Sequence, residues 1–544
     1  MTIAGKIGER PSETLTGIAT RSAALVLVFC AFDRLVDRAT DLPEAAYHES
    51  SIAWEVVRGG GVASVVLLLV WLVAIGAGFR RGASSRSWER GSPIRAVVGV
   101  AVLILAWAYS TYAFNSITGR AHGFDRALLV AFACASLFRP GFLLPFAVLV
   151  VAILGQFSAP LPGFSSSEPS LLVHIVLVAA AAWWLRALVG KIWSRELAIL
   201  LFATVASHYW ASGIGKVVIG WLELERISCV PVNTYANGWM PSLTSDEVAS
   251  LAMSLARFDP LLVWATVIIE CAGAILLARS FIAAPLFAGW IVFHASVFSI
   301  SGICFWKWLL IDLAFLAFLA RPARLRLLDV ARPAAGAIAF ALVLASPIWL
   351  RPDGLVWFDT PVAYTYRLEL EGEDGRRREL EPSYFAPFDY QFTLGTFPYL
   401  AADRNLGLVW GATKDVAIAK ALRDARSPED VFAIEGRLGK ERHDPTLRAR
   451  FETFLQRFVT ARSASPEEAS WPPFRAPPQL WTGRRDRDEQ DDRDRRIDER
   501  SRPRRVHVER VTTFWDGRSS RVIRRTPLLS VELERGGGAE RSSE

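Results

Sequence analysis

The sequence predicts an all-α polytopic membrane helix bundle of about eleven spans, followed by a small soluble α+β domain that contains strands. The chain has 544 residues, and 52% of them are hydrophobic. The apolar residues are concentrated before residue 350, in blocks long enough to cross a bilayer. After residue 350 the sequence becomes polar and rich in arginine and proline. We therefore expect a membrane domain followed by an aqueous tail.

The apolar blocks define the predicted spans. The 127–138 block is too short to cross alone, and Arg139-Pro140 separates it from the next block, so the two form either a tight hairpin or one broken helix. The first block lacks an obvious small-residue cleavage site, which favours a retained span over a signal peptide. By apolar length the spans cover residues 18–36, 62–79, 96–114, 127–138, 141–157, 170–189, 197–219, 260–279, 281–300, 304–320 and 333–350.

Basic residues alternate between the two sides of the membrane when all eleven spans are counted. The intervening loops are poor in basic residues, and 158–170 has none. The positive-inside rule then predicts a cytoplasmic N-terminus over 1–17 and an external chain after Arg351, in a plasma or inner membrane. If 127–157 is one span, the orientation of the later half of the bundle inverts, and the basic residues no longer fall on one side of the membrane. The basic residues of the predicted inner side are Lys6, Arg10, Arg21, Arg80, Arg81, Arg86, Arg90, Arg95, Lys191, Arg195, Arg279, Arg321, Arg324, Arg326 and Arg332.

The polar tail divides into several segments. Alternating residues on both sides of Glu373-Asp374-Gly375 predict a hairpin, and Asp516-Gly517 predicts a second one. Helical spacing appears at 414–423 and 447–461, and the aromatic stretch 383–400 is expected to pack on a small sheet. The predicted order is an external α+β domain over 351–465, a Pro-rich and charged linker over 466–505, a strand pair over 506–535 and a disordered tail over 536–544.

Composition and motifs argue against several classes of function. The net charge of +7 does not predict nucleic-acid binding, because the arginines flank apolar blocks or lie among Asp and Glu in the 484–505 run. No C-x-x-C, H-E-x-x-H, P-loop or dinucleotide fingerprint is present, so no metal or nucleotide site is predicted. Cys229 and Cys304 fall on the same predicted side, which leaves open a disulfide or two free thiols.

Ionisable residues inside four of the predicted spans mark the candidate site. His208 and Lys216 lie in the 197–219 span, and Glu270, His294 and Asp312 lie near the middle of later spans. An ionisable group inside a membrane span is costly and indicates a functional site. Interhelical hydrogen bonds and ion pairs account for one or two such residues. Five of them within about a hundred residues favour a shared cavity.

The spacing around Lys216 adds detail to this hypothesis. His208, Ser212 and Lys216 are four residues apart and share one face of a helix. Gly213 and Gly215 reduce the bulk of that helix and allow close approach by another helix or a ligand. Because Lys216 lies towards the end of the span, its ammonium group extending to the lipid headgroups is an equally good explanation. His208 lies deeper, where that explanation does not apply.

The segment His208-Tyr-Trp-Ala-Ser-Gly-Ile-Gly-Lys216, followed by Trp221, resembles the tyrosine, small-glycine, lysine and tryptophan motif of the vitamin K-dependent γ-carboxylase-like family. This family is also called the horizontally transferred transmembrane domain (HTTM) family. Phe293-His294, with Phe298 and Gly302, resembles its later phenylalanine-histidine helix, and Glu270 occupies the acidic position between. The resemblance covers roughly 18–350, an HTTM-like transmembrane domain, and is sharp over 207–320.

The resemblance implies a membrane enzyme that uses an intramembrane lysine as the base that deprotonates a reduced quinone of the vitamin K type. Oxygen then yields a strong base that removes a glutamate γ-proton before carbon dioxide is added. Lys216 matches the catalytic lysine, and Gly215 replaces its lysine neighbour. The implied catalytic residues are Lys216, His208, Glu270 and His294, and the implied substrate or quinone pocket comprises Tyr209, Ser212, Gly213, Trp221 and Asp312.

Two other functions remain open at this stage. In the first, the protein is a non-catalytic maturation or interaction factor whose external domain binds a secreted peptide or an envelope partner. In the second, it is a transporter, although no repeat of interrupted helices supports a pathway open to both sides. The expected partners are the lipid bilayer and a secreted peptide or protein substrate, and no nucleic acid.

Overall fold

The computed structural model describes residues 15–80, 93–111, 122–164, 170–190, 194–276, 280–319, 333–464, 476–481 and 503–533. Most of the basic residues used to predict the orientation lie outside these ranges. The same holds for residues 1–14 of the predicted cytoplasmic N-terminus, for most of the predicted linker and for the predicted disordered tail.

The residues before 350 form a helix bundle, as the apolar blocks predicted. Its helices are α1 (Leu15–Thr40), α2 (Ile52–Gly59), α3 (Gly61–Arg80), α4 (Pro93–Ser110), α5 (Gly123–Phe138), α6 (Leu143–Ser158), α7 (Ser170–Val189), α8 (Ser194–Val218), α9 (Trp221–Leu224), α10 (Cys229–Ala236), α11 (Ser245–Ala256), α12 (Asp259–Leu276), α13 (Ser280–Ser301), α14 (Trp306–Leu319), α15 (Pro333–Leu344) and α16 (Ser346–Trp349). The central helix α8 packs against α1, α7, α12 and α15.

Several of these helices are long and apolar enough to cross a membrane, as predicted for a helical membrane protein, whereas the number of about eleven spans stays a prediction. The bent pair of α11 and α12, with 71° between its two parts, adds one further candidate, and Ile94–Ser110 and Ala335–Leu344 are apolar but shorter. Among the described residues, the six segments that are long and apolar enough are Leu15–Thr40, Gly61–Gly78, Pro140–Ser158, Ser170–Val189, Ser194–Val218 and Ala283–Ser301.

The short apolar block before Arg139-Pro140 forms one arm of a helical hairpin. Near the start of α5, Nε2 of His122 lies 3.1 Å from the carbonyl oxygen of Tyr47. Near the end of α6, Gly155 packs against the Tyr47 ring. The connecting turn lies at the other end of the two helices, where the indole of Trp71 donates a hydrogen bond to the carbonyl of Gly141. The helices therefore run antiparallel, as the hairpin alternative predicted.

The tail forms an α+β domain around an antiparallel sheet. Its helices are α17 (Asp389–Leu394), α18 (Val416–Asp424), α19 (Pro428–Leu438) and α20 (Pro445–Ala464). Its strands are β1 (Phe358–Asp359), β2 (Val362–Gly372), β3 (Arg377–Leu380), β4 (Arg404–Asn405), β5 (Ala412–Thr413), β6 (Lys440–Glu441), β7 (Pro503–Trp515) and β8 (Ser520–Glu532). Both predicted hairpins are confirmed, and Gly375 and Gly517 take the positive φ that their turns require.

The strand pair predicted over 506–535 forms as β7 and β8, but it is not a unit by itself. Strand β7 pairs antiparallel with β2 along its length, so β7 and β8 complete one four-stranded sheet in the order β3-β2-β7-β8. The physical reason is that a two-stranded hairpin is marginal in water, and joining β2 buries the apolar face of β7 in the domain core. Part of the predicted linker is packed as well, because Leu480 forms a bridge with Ile303 next to α13.

The α+β domain formed by β1 to β8 and α17 to α20, called the soluble domain below, covers one end of the bundle. Arg450 of α20 donates a hydrogen bond to the carbonyl of Ala159, and Asn233 of α10 donates one to the carbonyl of Thr360. The backbone N–H of Cys304 bonds to the carbonyl of Gln479. The loops after α6, α8 and α13 therefore lie at the same end of the bundle as the domain.

The glycines of α8 allow close approach, as predicted. A Cβ atom at Gly213 would lie 2.7 Å from Sγ of Cys271 on α12, and one at Gly215 would lie 2.6 Å from a methyl carbon of Val356. Such distances are below van der Waals contact, so a larger residue would push α12 or the 353–357 segment away from α8.

We expect Gly213→Leu to destabilise the protein by about 1–3 kcal/mol, because added carbon atoms in a packed interface force neighbours apart. The measurement is the thermal unfolding temperature of the purified full-length protein in detergent. Gly76→Leu on α3 is the matched control, since a Cβ atom there meets no described atom within 4 Å. Equal unfolding temperatures for the two variants would contradict the close packing of α8 on α12.

Candidate functional site

The structure pairs Lys216 with Glu270 across α8 and α12. The Nζ atom lies 2.5 Å from Oε1 and 2.7 Å from Oε2 of Glu270. Lys216 is 7% exposed, and its ammonium group lies 5.4 Å from the centre of the Trp221 ring. The side chain is therefore held inside the protein by an ion pair and an aromatic ring.

A second cluster joins Tyr209, His294 and Asp312. The Tyr209 hydroxyl donates to Oδ2 of Asp312 at 2.8 Å and lies 2.7 Å from Nε2 of His294. Its ring stacks on Trp290 with 4.0 Å between the ring centres. Nδ1 of His294 and Oδ1 of Asp312 are buried without a hydrogen-bond partner among the described residues. The cluster ties α8, α13 and α14 together.

A third cluster extends from His208 towards α1. Nε2 of His208 lies 3.3 Å from Nδ1 of His174 on α7, and Nε2 of His174 lies 3.8 Å from Oδ1 of Asp33. The sequence reasoning missed both His174 and Asp33. His174 is an ionisable residue inside the 170–189 span, so the criterion that selected the other residues also applies to it.

Trp308 of α14 connects the second and third clusters. The centre of its ring lies 5.7 Å from that of His208, 5.3 Å from that of Tyr209 and 5.9 Å from that of His294. The sequence reasoning did not single out this tryptophan, because nothing in the sequence distinguishes it from the other 19.

A cavity of about 250 Å³ lies between the bundle and the soluble domain. His208 and Ser212 line it from α8, and the Ser212 hydroxyl accepts a hydrogen bond from the backbone N–H of Leu355 in the covering segment. The buried Lys307, which the sequence reasoning also missed, lines the same cavity. Its aromatic lining residues are Tyr109, Phe157, Phe164, Phe305, Trp308, Trp357 and Tyr390.

The predicted shared cavity forms only in part. Of the predicted catalytic residues, His208 alone lines it, and of the predicted pocket residues, Ser212 alone does so. The other predicted residues are kept away from this cavity by packing, because side chains at successive turns of a helix contact different neighbouring helices. The predicted residues that do not line this cavity are Lys216, Glu270, His294, Tyr209, Gly213, Trp221 and Asp312.

The five cysteines, all within the described ranges, are free. In the structure Cys229 and Cys304 are thus two unpaired thiols, one of the two alternatives left open by the sequence. Cys229 is buried against the apolar residues of α10 and α11, where a thiol packs as a small hydrophobic group. Within the described part of the chain, no group of three His, Cys, Asp or Glu side chains is arranged to hold a metal ion.

A pair of carboxyl groups lies where the soluble domain meets the end of the bundle. Oε2 of Glu225, which follows α9, accepts a hydrogen bond from the backbone N–H of Asp359 in β1. Burial, followed by the proximity of Asp359, raises the pKa of Glu225 well above its ordinary value. Burial raises the pKa of Asp359 to about 6.

No protein-family model, curated protein or solved structure matches this chain. The resemblance to the γ-carboxylase-like family therefore stays a prediction that rests on the motif residues.

We expect the protein to lose stability as the pH rises through about 6 and above, because raised carboxyl pKa values mean that the folded state favours the protonated forms. Glu225→Gln removes one titrating group, so the loss of stability with rising pH becomes smaller. The measurement is the thermal unfolding temperature between pH 5.5 and pH 8.

Glu247→Gln is the matched control for this prediction. Glu247 belongs to the same loop region, but hydrogen bonds from Thr244 lower its pKa, so it stays ionised over this pH range. A wild-type protein and a Glu225→Gln variant with the same pH dependence would contradict the prediction.

Proposed function

We propose that this protein is a membrane enzyme that binds a quinol-type lipid in the cavity beneath the soluble domain and uses His208 to move the proton of a ring hydroxyl. The observation that carries the proposal is that His208 lines an aromatic cavity while its other side contacts His174. A buried ionisable group that faces a cavity and has a second titratable group behind it is a common arrangement for general acid–base chemistry.

The cavity suits a flat aromatic headgroup. Seven aromatic side chains line it, and such rings pack against a planar ligand in stacked or edge-to-face geometry. Its volume of about 250 Å³ lies below the range of roughly 300–1,000 Å³ for small-molecule sites, so it holds a headgroup alone and an isoprenoid tail extends outside. The ammonium group of Lys307 lies 5.5 Å from the centre of the Tyr109 ring, and Asp353 and Asp389 line the same cavity, so its wall carries charges of both signs.

The histidine pair gives the proton a path away from the cavity. A proton taken up by His208 can pass to His174, whose Nδ1 lies 3.3 Å from Nε2 of His208, and the carboxylate of Asp33 lies 3.8 Å beyond His174. Asp33 belongs to α1 and its side chain is 17% exposed, so the path ends at the bundle surface. A reduced quinone supplies an ionisable ring hydroxyl and electrons for oxygen, and the protein supplies position, exclusion of water and a base.

Lys216, the base that the family resemblance implies, has a different environment. Its ammonium group bonds to both oxygens of Glu270, so it becomes a base only if that carboxylate takes its proton. We propose that this pair holds α8 against α12 and so fixes the orientation of His208.

We further propose eleven membrane crossings, with the N-terminus in the cytoplasm and the soluble domain outside, in the plasma or inner membrane. The loops that are poor in basic residues contact the soluble domain, and the α5–α6 hairpin returns the chain to the same side. Both observations support a topology in which the loops that are poor in basic residues all lie on one side of the membrane, as the positive-inside rule requires.

We expect Trp308→Leu to weaken binding of a reduced naphthoquinone at least about tenfold, because it removes a ring from the cavity wall. Equilibrium titration of the detergent-solubilised protein, followed by quenching of tryptophan fluorescence, measures this. Trp264→Leu on the exposed face of α12 is the control and leaves the affinity unchanged. If the wild-type protein binds no quinol, the proposal fails and the interaction-factor alternative gains support.

We expect His208→Gln to lower the rate of quinol oxidation in air by about 10²–10⁴-fold, the range for loss of a general base, while quinol still binds. Replacing both members of the ion pair, as in Lys216→Met/Glu270→Met, avoids leaving a lone buried charge and retains measurable oxidation. Complete loss of oxidation in a folded double variant, with normal rates in His208→Gln, would assign the base to Lys216 instead.

A further inference from the structure

A second and larger cavity, of about 550 Å³, lies at the same end of the bundle. The 44–48 segment, the end of α6 and helix α20 of the soluble domain form its walls. It shares no lining residue with the cavity that contains His208. The proposed enzyme function therefore does not account for it.

Gln156 forms part of the cavity wall and has no hydrogen-bond partner for its amide. The residue is 1% exposed, and neither Nε2 nor Oε1 bonds to any of the described residues. Apart from the terminal Ser158, the rest of α6 is apolar, so the amide does not belong to a polar helix face. A buried amide without partners is costly, and the natural compensation is a ligand or ordered water that both accepts and donates hydrogen bonds.

Two arginines face the same cavity from α20. Arg450 and Arg457 are seven residues apart, which places them two helical turns apart on one face. Arg450 uses one Nη2–H on the carbonyl of Ala159, and within the described ranges the guanidinium of Arg457 bonds to nothing. The exposed carboxylate of Glu44 at the rim offsets one of the two charges. The cavity therefore retains a positive charge and free donors suited to an anion.

The cavity lies beside a helix suited to the membrane surface. Helix α2, which follows the 44–48 segment, exposes Trp54 and Val57. Helix α3 continues with exposed Val62, Val65 and Leu69, as expected of a lipid-facing surface. The arginines are thus within reach of the headgroup layer.

We propose that this second cavity binds a phosphate group, carried by a glycerophospholipid headgroup or by a free phosphate compound. The guanidinium groups of Arg450 and Arg457 and the Nε2–H groups of Gln156 donate to the phosphate oxygens. The Oε1 atom of Gln156 accepts from a hydroxyl next to the phosphate. A glycerol headgroup provides both groups, which favours phosphatidylglycerol as the probe.

The test is a titration of the full-length protein in dodecyl maltoside with phosphatidylglycerol, followed by native mass spectrometry. We expect Arg450→Gln/Arg457→Gln to weaken binding at least about tenfold, and Gln156→Leu to weaken it about threefold or more. Arg448→Gln is the matched control, because Arg448 lies on the same helix but pairs with Glu452 and does not line the cavity. The control retains wild-type affinity.

Inorganic phosphate distinguishes the two sources of the phosphate group. If it displaces phosphatidylglycerol at millimolar concentration, a free phosphate compound is the ligand, and if it does not, the lipid is. Equal binding by wild-type protein and a double arginine variant with normal thermal unfolding would overturn the proposal, as would absence of binding of both probes. If the double variant fails to fold, wild-type affinity in Gln156→Leu overturns it.

Discussion

The arrangement of this protein depends on one constraint: an ionisable side chain buried in a membrane bundle needs a partner. Helix α8 carries His208, Tyr209 and Lys216, and each of these contacts a polar group of a different helix. These contacts fix α8 against α7, α12, α13 and α14 at once. Removing one partner leaves a buried charge or polar group, which is far more costly than replacing both.

The same constraint separates the roles of residues that the sequence places together. Lys216 and His208 lie two turns apart, yet Lys216 is neutralised by Glu270 while His208 has one side towards a cavity. An ion pair fixes position, whereas an imidazole next to a cavity can exchange a proton. In the function that we propose, the site therefore combines a structural part on α12 with a chemical part beneath the soluble domain.

The soluble domain is part of the site and not an appendage. Its 353–357 and 387–394 segments cover the cavity of His208, and its helix α20 forms a wall of the second cavity. Both cavities thus depend on contacts between residues more than 140 positions apart, such as Ser212 with Leu355.

The helical bundle, both tail hairpins and the close approach at Gly213 could be predicted from the sequence, because apolar length, turn residues and the lack of a side chain act locally. The sequence also located the ionisable residues, although His174 and Lys307 were missed. Tertiary structure alone decided the partners: Glu270 for Lys216, His174 for His208, and β2 for β7. Partners depend on which helix faces and strand edges meet, and that is set by packing over the whole chain.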